Sequence, residues 1–200
     1  YFSPALFGQH RAVSPLIERY VKGRVIDLGC GLMPYRATVE DSGSAYHGMD
    51  VRPRSGGIAY LGDIRHIPVR SNSSYDSAIC LEVLEHVPDP ALALSEVYRI
   101  LAPGGTLIVS VPHLSRLHEE PHDYFRFTIH GLRYLLEDSG FEIIELREKA
   151  GLLSILGHQV ATLILSFVWS ASVVRRQVWP LNRWLISKPC YELDKVVALS

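Results

Sequence analysis

Two hundred residues, 48% of them apolar and 20% charged, supply enough bulk for one domain with a buried core and exclude a disordered chain. A formal net charge of −1 gives no electrostatic case for nucleic acid as a partner. Three widely spaced cysteines, Cys30, Cys80 and Cys190, argue against a disulfide framework or a zinc site and for a reducing, cytoplasmic compartment.

The opening YFSPALFGQHR lacks the basic start and long apolar run of a signal peptide, and it lacks an initiator methionine, which leaves the natural N-terminus open. Apolar runs at 24–28, 44–51, 57–63, 75–83 and 105–112 then read as five strands, with SNSSYD (71–76) as a turn. After the fourth run, Asp89 is a good N-cap and Pro90 suits the first helical position. Leu94, Val97 and Leu101 follow at helical spacing, and Pro103-Gly104-Gly105 turns the chain into the fifth strand. Thr128 caps a second helix with Leu132, Leu135 and Leu136 on its apolar side and Gly140 at its end. FEIIELR (141–147) reads as a sixth strand and KVVALS (195–200) as a seventh. Strands alternating with helices predict an α/β, Rossmann-like doubly wound sheet, mostly parallel and covered on both faces, within a single domain over 1–200.

Ligands of such a sheet bind beyond the carboxyl ends of the strands, where strand order reverses. VIDLGCG (25–31) places Gly29 and Gly31 directly after the first strand, where the missing Cβ admits a close approach. Asp50 ends the second strand about twenty residues on, the place for a carboxylate that accepts bonds from a ribose diol. Asp63 ends the third, where a carboxylate can accept from an adenine amino group. The run Gly29-Cys30-Gly31-Leu32-Met33-Pro34 has proline where a dinucleotide fingerprint has its third glycine. With no Tyr-x-x-x-Lys pair after the fifth strand, this disfavours a nicotinamide-dependent oxidoreductase.

VIDLGCG, MDV (49–51), GDI (62–64), CLEVLEHVPDP (80–90) and LAPGGTLIVSVP (101–112), in this order, resemble the class I S-adenosylmethionine-dependent methyltransferases. The nearest type is the small-molecule group that includes ubiquinone-biosynthesis O-methyltransferases. The resemblance covers about residues 24 to 147 and returns at 195–200, and it implies an antiparallel last strand. It implies S-adenosyl-L-methionine as cofactor, with Asp27, Gly29 and Gly31 along the methionine part and Asp50 on the ribose. Asp63 and Ile64 would take the adenine, Leu81 would offer backbone near the methionine amino group, and Arg11 would meet the cofactor carboxylate.

Methyl transfer to a hydroxyl needs alignment and a proton acceptor. HEEPHDYFRFT (118–128), after the fifth strand, is rich in acid–base groups. His122 is the candidate base or acceptor anchor, with Asp123 or Tyr124 orienting it. The alternative is an ordered loop in which His122 and Arg126 pair with carboxylates. Glu82-Val83-Leu84-Glu85-His86 resembles the EXXEH pattern of ubiquinone-type enzymes, which can hold a divalent metal. We expect no metal, with Glu85 and His86 capping the next loop. The expected activity is methyl transfer to a small-molecule or lipid-linked acceptor at oxygen, and the alternative is a non-catalytic adenosylmethionine-binding module.

Residues 150–190 form a helical insert of different composition. The run 152–171 carries no formal charge with His158 neutral, and the stretch after it is basic, with Arg175, Arg176, Arg183 and Lys188; the insert as a whole holds Trp169, Trp179 and Trp184. Such residues suit a peripheral contact with a cytoplasmic membrane surface through 152–188. A helical lid or a homodimer contact would bury the same surface.

Overall fold

β1 (Arg24–Leu28) is buried at every position after the first, as a central parallel strand covered on both faces must be. The computed structural model describes residues 4–52, 56–70, 72–149, 151–168, 188–190 and 192. They form two compact units, one over 16–146 and one from the described residues of 1–15 and 147–200. The first unit holds a sheet in which β1 pairs with β2 (Ala45–Asp50) on one side and β4 (Tyr75–Leu81) on the other. β3 (Tyr60–Leu61) extends β2, and β5 (Leu101–Ser110) extends β4. The order is β3-β2-β1-β4-β5 and every pairing is parallel. Strand order therefore reverses between β1 and β4.

Alternate residues of the central strands point to opposite faces. On one face Ile26 and Leu28 of β1 and Ala78 and Cys80 of β4 join a continuous apolar core with Leu94, Val97 and Ile100 of α3 (Pro90–Ile100) and Leu132 and Leu136 of α4 (Ile129–Asp138). Both helices begin as their sequences specify. Asp89 accepts a bond from the Leu92 N–H at 3.0 Å, with Pro90 at the first position. Thr128 accepts one from the Gly131 N–H at 3.0 Å. The longer α1 (Pro4–Tyr20) and the short α2 (Arg36–Asp41) flank β1 in the chain.

The expected sheet of seven strands with an antiparallel last member is corrected to five parallel strands among the described residues. Residues 141–147 form no ladder. Phe141, Ile143 and Leu146 still pack against the core while Ile144 is exposed, so the alternation that reads as a strand reports one-sided burial without hydrogen-bonded pairing. The expected seventh strand, 195–200, lies outside the described residues. The third run pairs over two residues only. The fifth strand begins earlier than expected, at Leu101, which pairs with Tyr75. The chain then bulges across Pro103-Gly104-Gly105 and pairing resumes at Thr106 with Ser77.

In the other unit, α5 (Leu152–Val168) fills the first part of the insert. Leu152, Leu156, Val160 and Leu163 are exposed along it at helical spacing. Among the described residues no helix is long and apolar enough to cross a membrane.

Candidate active site

The two glycines after β1 do different jobs. Gly29 (φ 73°) and Cys30 both donate to the Met49 carbonyl, at 2.8 and 3.0 Å, which ties the turn to β2. A Cβ on Gly29 would stand 2.3 Å from a Val83 methyl, so its bare backbone lets the turns after β1 and β4 meet across the strand-order reversal. Gly31 (φ 51°) has no atom within 4 Å of the corresponding point. Its N–H donates to Asp50 at 3.0 Å. One glycine thus admits the chain's own side chain, and the other leaves a cradle open.

Two carboxylates line this cradle. Asp50, at the end of β2, accepts from the Gly31 N–H and from the Arg52 N–H at 3.0 Å. Asp27, 4% exposed on β1, accepts from the Tyr46 hydroxyl at 2.5 Å. Burial pushes the Asp27 carboxyl up to about 6; the Tyr46 hydrogen bond opposes this and the Asp50 charge adds to it. Three aliphatic side chains stand out along the same edge: Leu32 is 77% exposed, Val51 61% and Leu61 60%. They follow β1 and β2 and end β3, and they offer apolar surface beside the carboxylates. The sequence reading missed all three and Tyr46. The available signal was a bulky apolar residue directly after Gly31 and after Asp50.

The other expected cofactor residues are placed less uniformly. Asp63 caps the 3₁₀ turn Ile64–His66 and accepts the Arg65 N–H at 2.9 Å. The Arg65 guanidinium meets the same carboxylate at 2.6 Å and holds it below the ordinary range. An adenine amino group there would share Asp63 with Arg65. The Ile64 side chain is buried in the core, which leaves its backbone for a ligand. Leu81 ends β4 opposite Ser110. Arg11 lies in the other unit, 3.8 Å from Glu192.

On the far side of the reversal, the loop after β5 is fastened by backbone bonds. The Tyr124 and Phe125 N–H groups donate to the Glu85 carbonyl at 2.8 and 3.2 Å, and His86 Nδ1 meets the His122 carbonyl at 2.6 Å. Asp123, almost fully buried, takes two 2.7 Å bonds from the Arg126 guanidinium and one of 2.9 Å from the His118 N–H. Arg126 above all holds the Asp123 carboxyl well below the usual carboxylate range. Of the two expected orienting groups, Tyr124 is the one whose hydroxyl meets His122, at 3.1 Å from Nδ1. Asp123 secures the loop. His122 and Tyr124 are both exposed.

Glu82 departs from β4 in a left-handed conformation (φ 55°). Its carboxylate accepts from the Ser110 hydroxyl at 2.8 Å. Among the described residues, Glu85, His86 and His118 bring ligand atoms within 4.8 Å of one another, a set that could hold a divalent cation. Glu82 is not part of it. His86 would have to use Nε2, because Nδ1 faces the His122 carbonyl.

A glycine cradle, two buried carboxylates and an apolar edge lie together at the strand-order reversal of a parallel α/β sheet, the place where such sheets bind nucleotide-like ligands. A family profile described as a methyltransferase domain matches residues 8–146. The chain belongs to this family, the class I S-adenosylmethionine-dependent methyltransferases, whose cofactor is S-adenosyl-L-methionine. It is 30% identical over 128 residues to the ubiquinone biosynthesis O-methyltransferase of Psychrobacter cryohalolentis, a match over 56% of this chain and 48% of that one. The chain thus spans about half the length of that relative. The fold is shared with the Haloferax volcanii methyltransferase solved in complex with the Trm112 methyltransferase activator (TM-score 0.61, 23% identity, 72% of this chain and 73% of that one). It is shared too with the Burkholderia thailandensis 1,6-didemethyltoxoflavin-N1-methyltransferase, solved with 1,6-didemethyltoxoflavin and S-adenosylhomocysteine (TM-score 0.60, 19% identity, 70% of each chain).

The residues present fit the cofactor. The space at Gly31 is open, Asp50 would offer its carboxylate to the ribose, and Asp27 would offer an anion to the methionine ammonium. The cofactor supplies a methyl group already activated by a sulfonium.

Proposed function

We propose that this chain methylates an oxygen of a small-molecule or lipid-linked acceptor. The observation that carries the reading is the exposed His122–Tyr124 pair on a loop fastened to the turn after β4. In-line displacement at carbon asks the protein to align two reactants and to remove one proton. His122 accepts the acceptor's hydroxyl proton, and the Tyr124 hydroxyl fixes the imidazole. Asp123 and Arg126 keep the loop in place, and Glu85 and His86 serve as its anchor on the turn 84–86. No step requires a metal. The names of the relatives, ubiquinone biosynthesis O-methyltransferases, support oxygen as the acceptor atom and a hydrophobic substrate.

A labelled-methyl assay on cell extract, with lipid and aqueous fractions counted separately, tests the reading. Label is expected in the lipid fraction with the native chain. His122→Ala is expected to lower the rate about 100-fold while adenosylmethionine binding stays unchanged. Unaltered turnover in that variant removes His122 from the mechanism. Binding of the cofactor without any transfer would favour the non-catalytic module.

The insert favours a peripheral membrane contact. Its exposed aliphatic stripe on α5 is continuous in sequence with a stretch that has Arg175, Arg176, Arg183 and Lys188 and no acidic residue before Glu192. Co-sedimentation with vesicles containing phosphatidylglycerol is expected, and it should weaken with salt. Equal binding to neutral vesicles would leave the basic residues without a part in it.

A further inference from the structure

We infer that Tyr46 is a positioning residue for the cofactor: its hydroxyl holds the Asp27 carboxylate in the orientation and charge state that an ammonium group recognises. The inference rests on the reading that Asp27 faces the methionine end of the cofactor.

The argument begins with register. Asp27 of β1 pairs with Gly48 of β2, and the side chains of paired positions in a parallel ladder lie on the same face. Gly48 puts nothing opposite Asp27. Its neighbours on that face, two residues before and after, are Tyr46 and Asp50. Asp27 therefore stands between a hydroxyl donor and a second carboxylate. Tyr46 donates to Asp27 Oδ2 at 2.5 Å. Asp50 spends its oxygens on the Gly31 and Arg52 N–H groups.

The other groups that bear on Asp27 do not replace Tyr46. From the turn after β1 comes the Cys30 thiol, which burial pushes up to about 12; it stays neutral. From β4 comes the Cys80 thiol, raised further by complete burial. From α2 comes Arg36, whose guanidinium lies over the Tyr46 ring at 6.0 Å and pairs with Glu40 at 2.8 Å. Burial and the Asp27 charge raise the Tyr46 hydroxyl itself, so it remains a donor at every working pH. Deleting this donor leaves a buried carboxylate beside a like charge, and its proton affinity must rise. A protonated Asp27 has no charge to offer an ammonium.

The test follows S-adenosylhomocysteine binding by calorimetry between pH 5 and 8.5 for the native chain, Tyr46→Phe and Asp27→Asn. Native affinity is expected to fall as pH drops through about 6. In Tyr46→Phe this midpoint should move up by about one pH unit, a tenfold change in proton affinity, with affinity at pH 8.5 within about threefold of native. Asp27→Asn should bind weakly and lose the acid limb. An unmoved midpoint in Tyr46→Phe, with or without a uniform loss of affinity, overturns the inference, because packing alone explains it. Native affinity with a native pH profile in Asp27→Asn overturns instead the reading of Asp27 as a cofactor ligand. If Tyr46→Phe does not fold, 3-fluorotyrosine at position 46 keeps the ring and sharpens the donor. The midpoint should then move down, and no movement counts against the inference.

Discussion

At the scale of single residues, Gly29 and Gly31 separate two costs that one motif conceals. Gly29→Ala brings a Cβ against Val83 at a positive φ, so it should lower stability by several kcal/mol in denaturant titration. Val83→Ala should recover the steric part and leave the backbone part. Gly31→Ala meets no atom, so it should cost about 1 kcal/mol of stability for its φ and show its larger effect in cofactor affinity. Reversed rankings would mean that the open cradle lies elsewhere. The glycine turn, Asp50 and Asp27 were legible in the sequence because their needs are local: a strand end, a bare backbone, a carboxylate after a strand. Tyr46 was not legible, because its part depends on which residue of β2 stands opposite Asp27, and only the register fixes that. That Arg65 folds back onto Asp63 was not legible either, because nothing in GDIR specifies it.

At the scale of elements, the starts of α3 and α4 follow from Asp89 and Thr128, and each cap can be weighed. Thr128→Ala should cost about 1 kcal/mol and leave catalysis intact, since it removes one bond to the Gly131 N–H. Asp123→Asn should do more harm to activity than to overall stability. It loosens the ion pair with Arg126 that shapes the loop bearing His122 and Tyr124. Limited proteolysis should then cut within 113–126, and protection equal to native would show that the backbone bonds suffice. FEIIELR reads as a strand by its alternation, yet it forms no ladder. Alternation records which residues are buried, and pairing further requires a neighbour with free backbone groups, which alternation does not record.

At the scale of the whole molecule, two aspartates, Asp27 and Asp123, pull the pH dependence of stability in opposite directions. The Asp27 carboxyl is raised, so its contribution is full below the ordinary value near 3.8 and is lost as pH climbs through about 6. That loss is about 3 kcal/mol in the cofactor-free protein. The Asp123 carboxyl is depressed, so its contribution is present above the ordinary carboxylate range and is lost as pH falls below it. Urea titrations of the cofactor-free chain should show stability declining between about pH 4 and pH 6.5, and Asp27→Asn should flatten that decline. An unchanged slope in Asp27→Asn would assign it to another group. The cofactor's ammonium would supply the counter-charge that the empty fold lacks, so ligand stabilisation should be greater at pH 7.5 than at pH 5.

The loop over 113–126 is anchored on the Glu85 carbonyl through the N–H groups of Tyr124 and Phe125, atoms that every residue but proline possesses. Side-chain identity at 122 and 124 is thereby uncoupled from the loop's path. On the proposed role of His122 and Tyr124, exchanging those two side chains should redirect the chain to a different acceptor while the scaffold beneath keeps its shape.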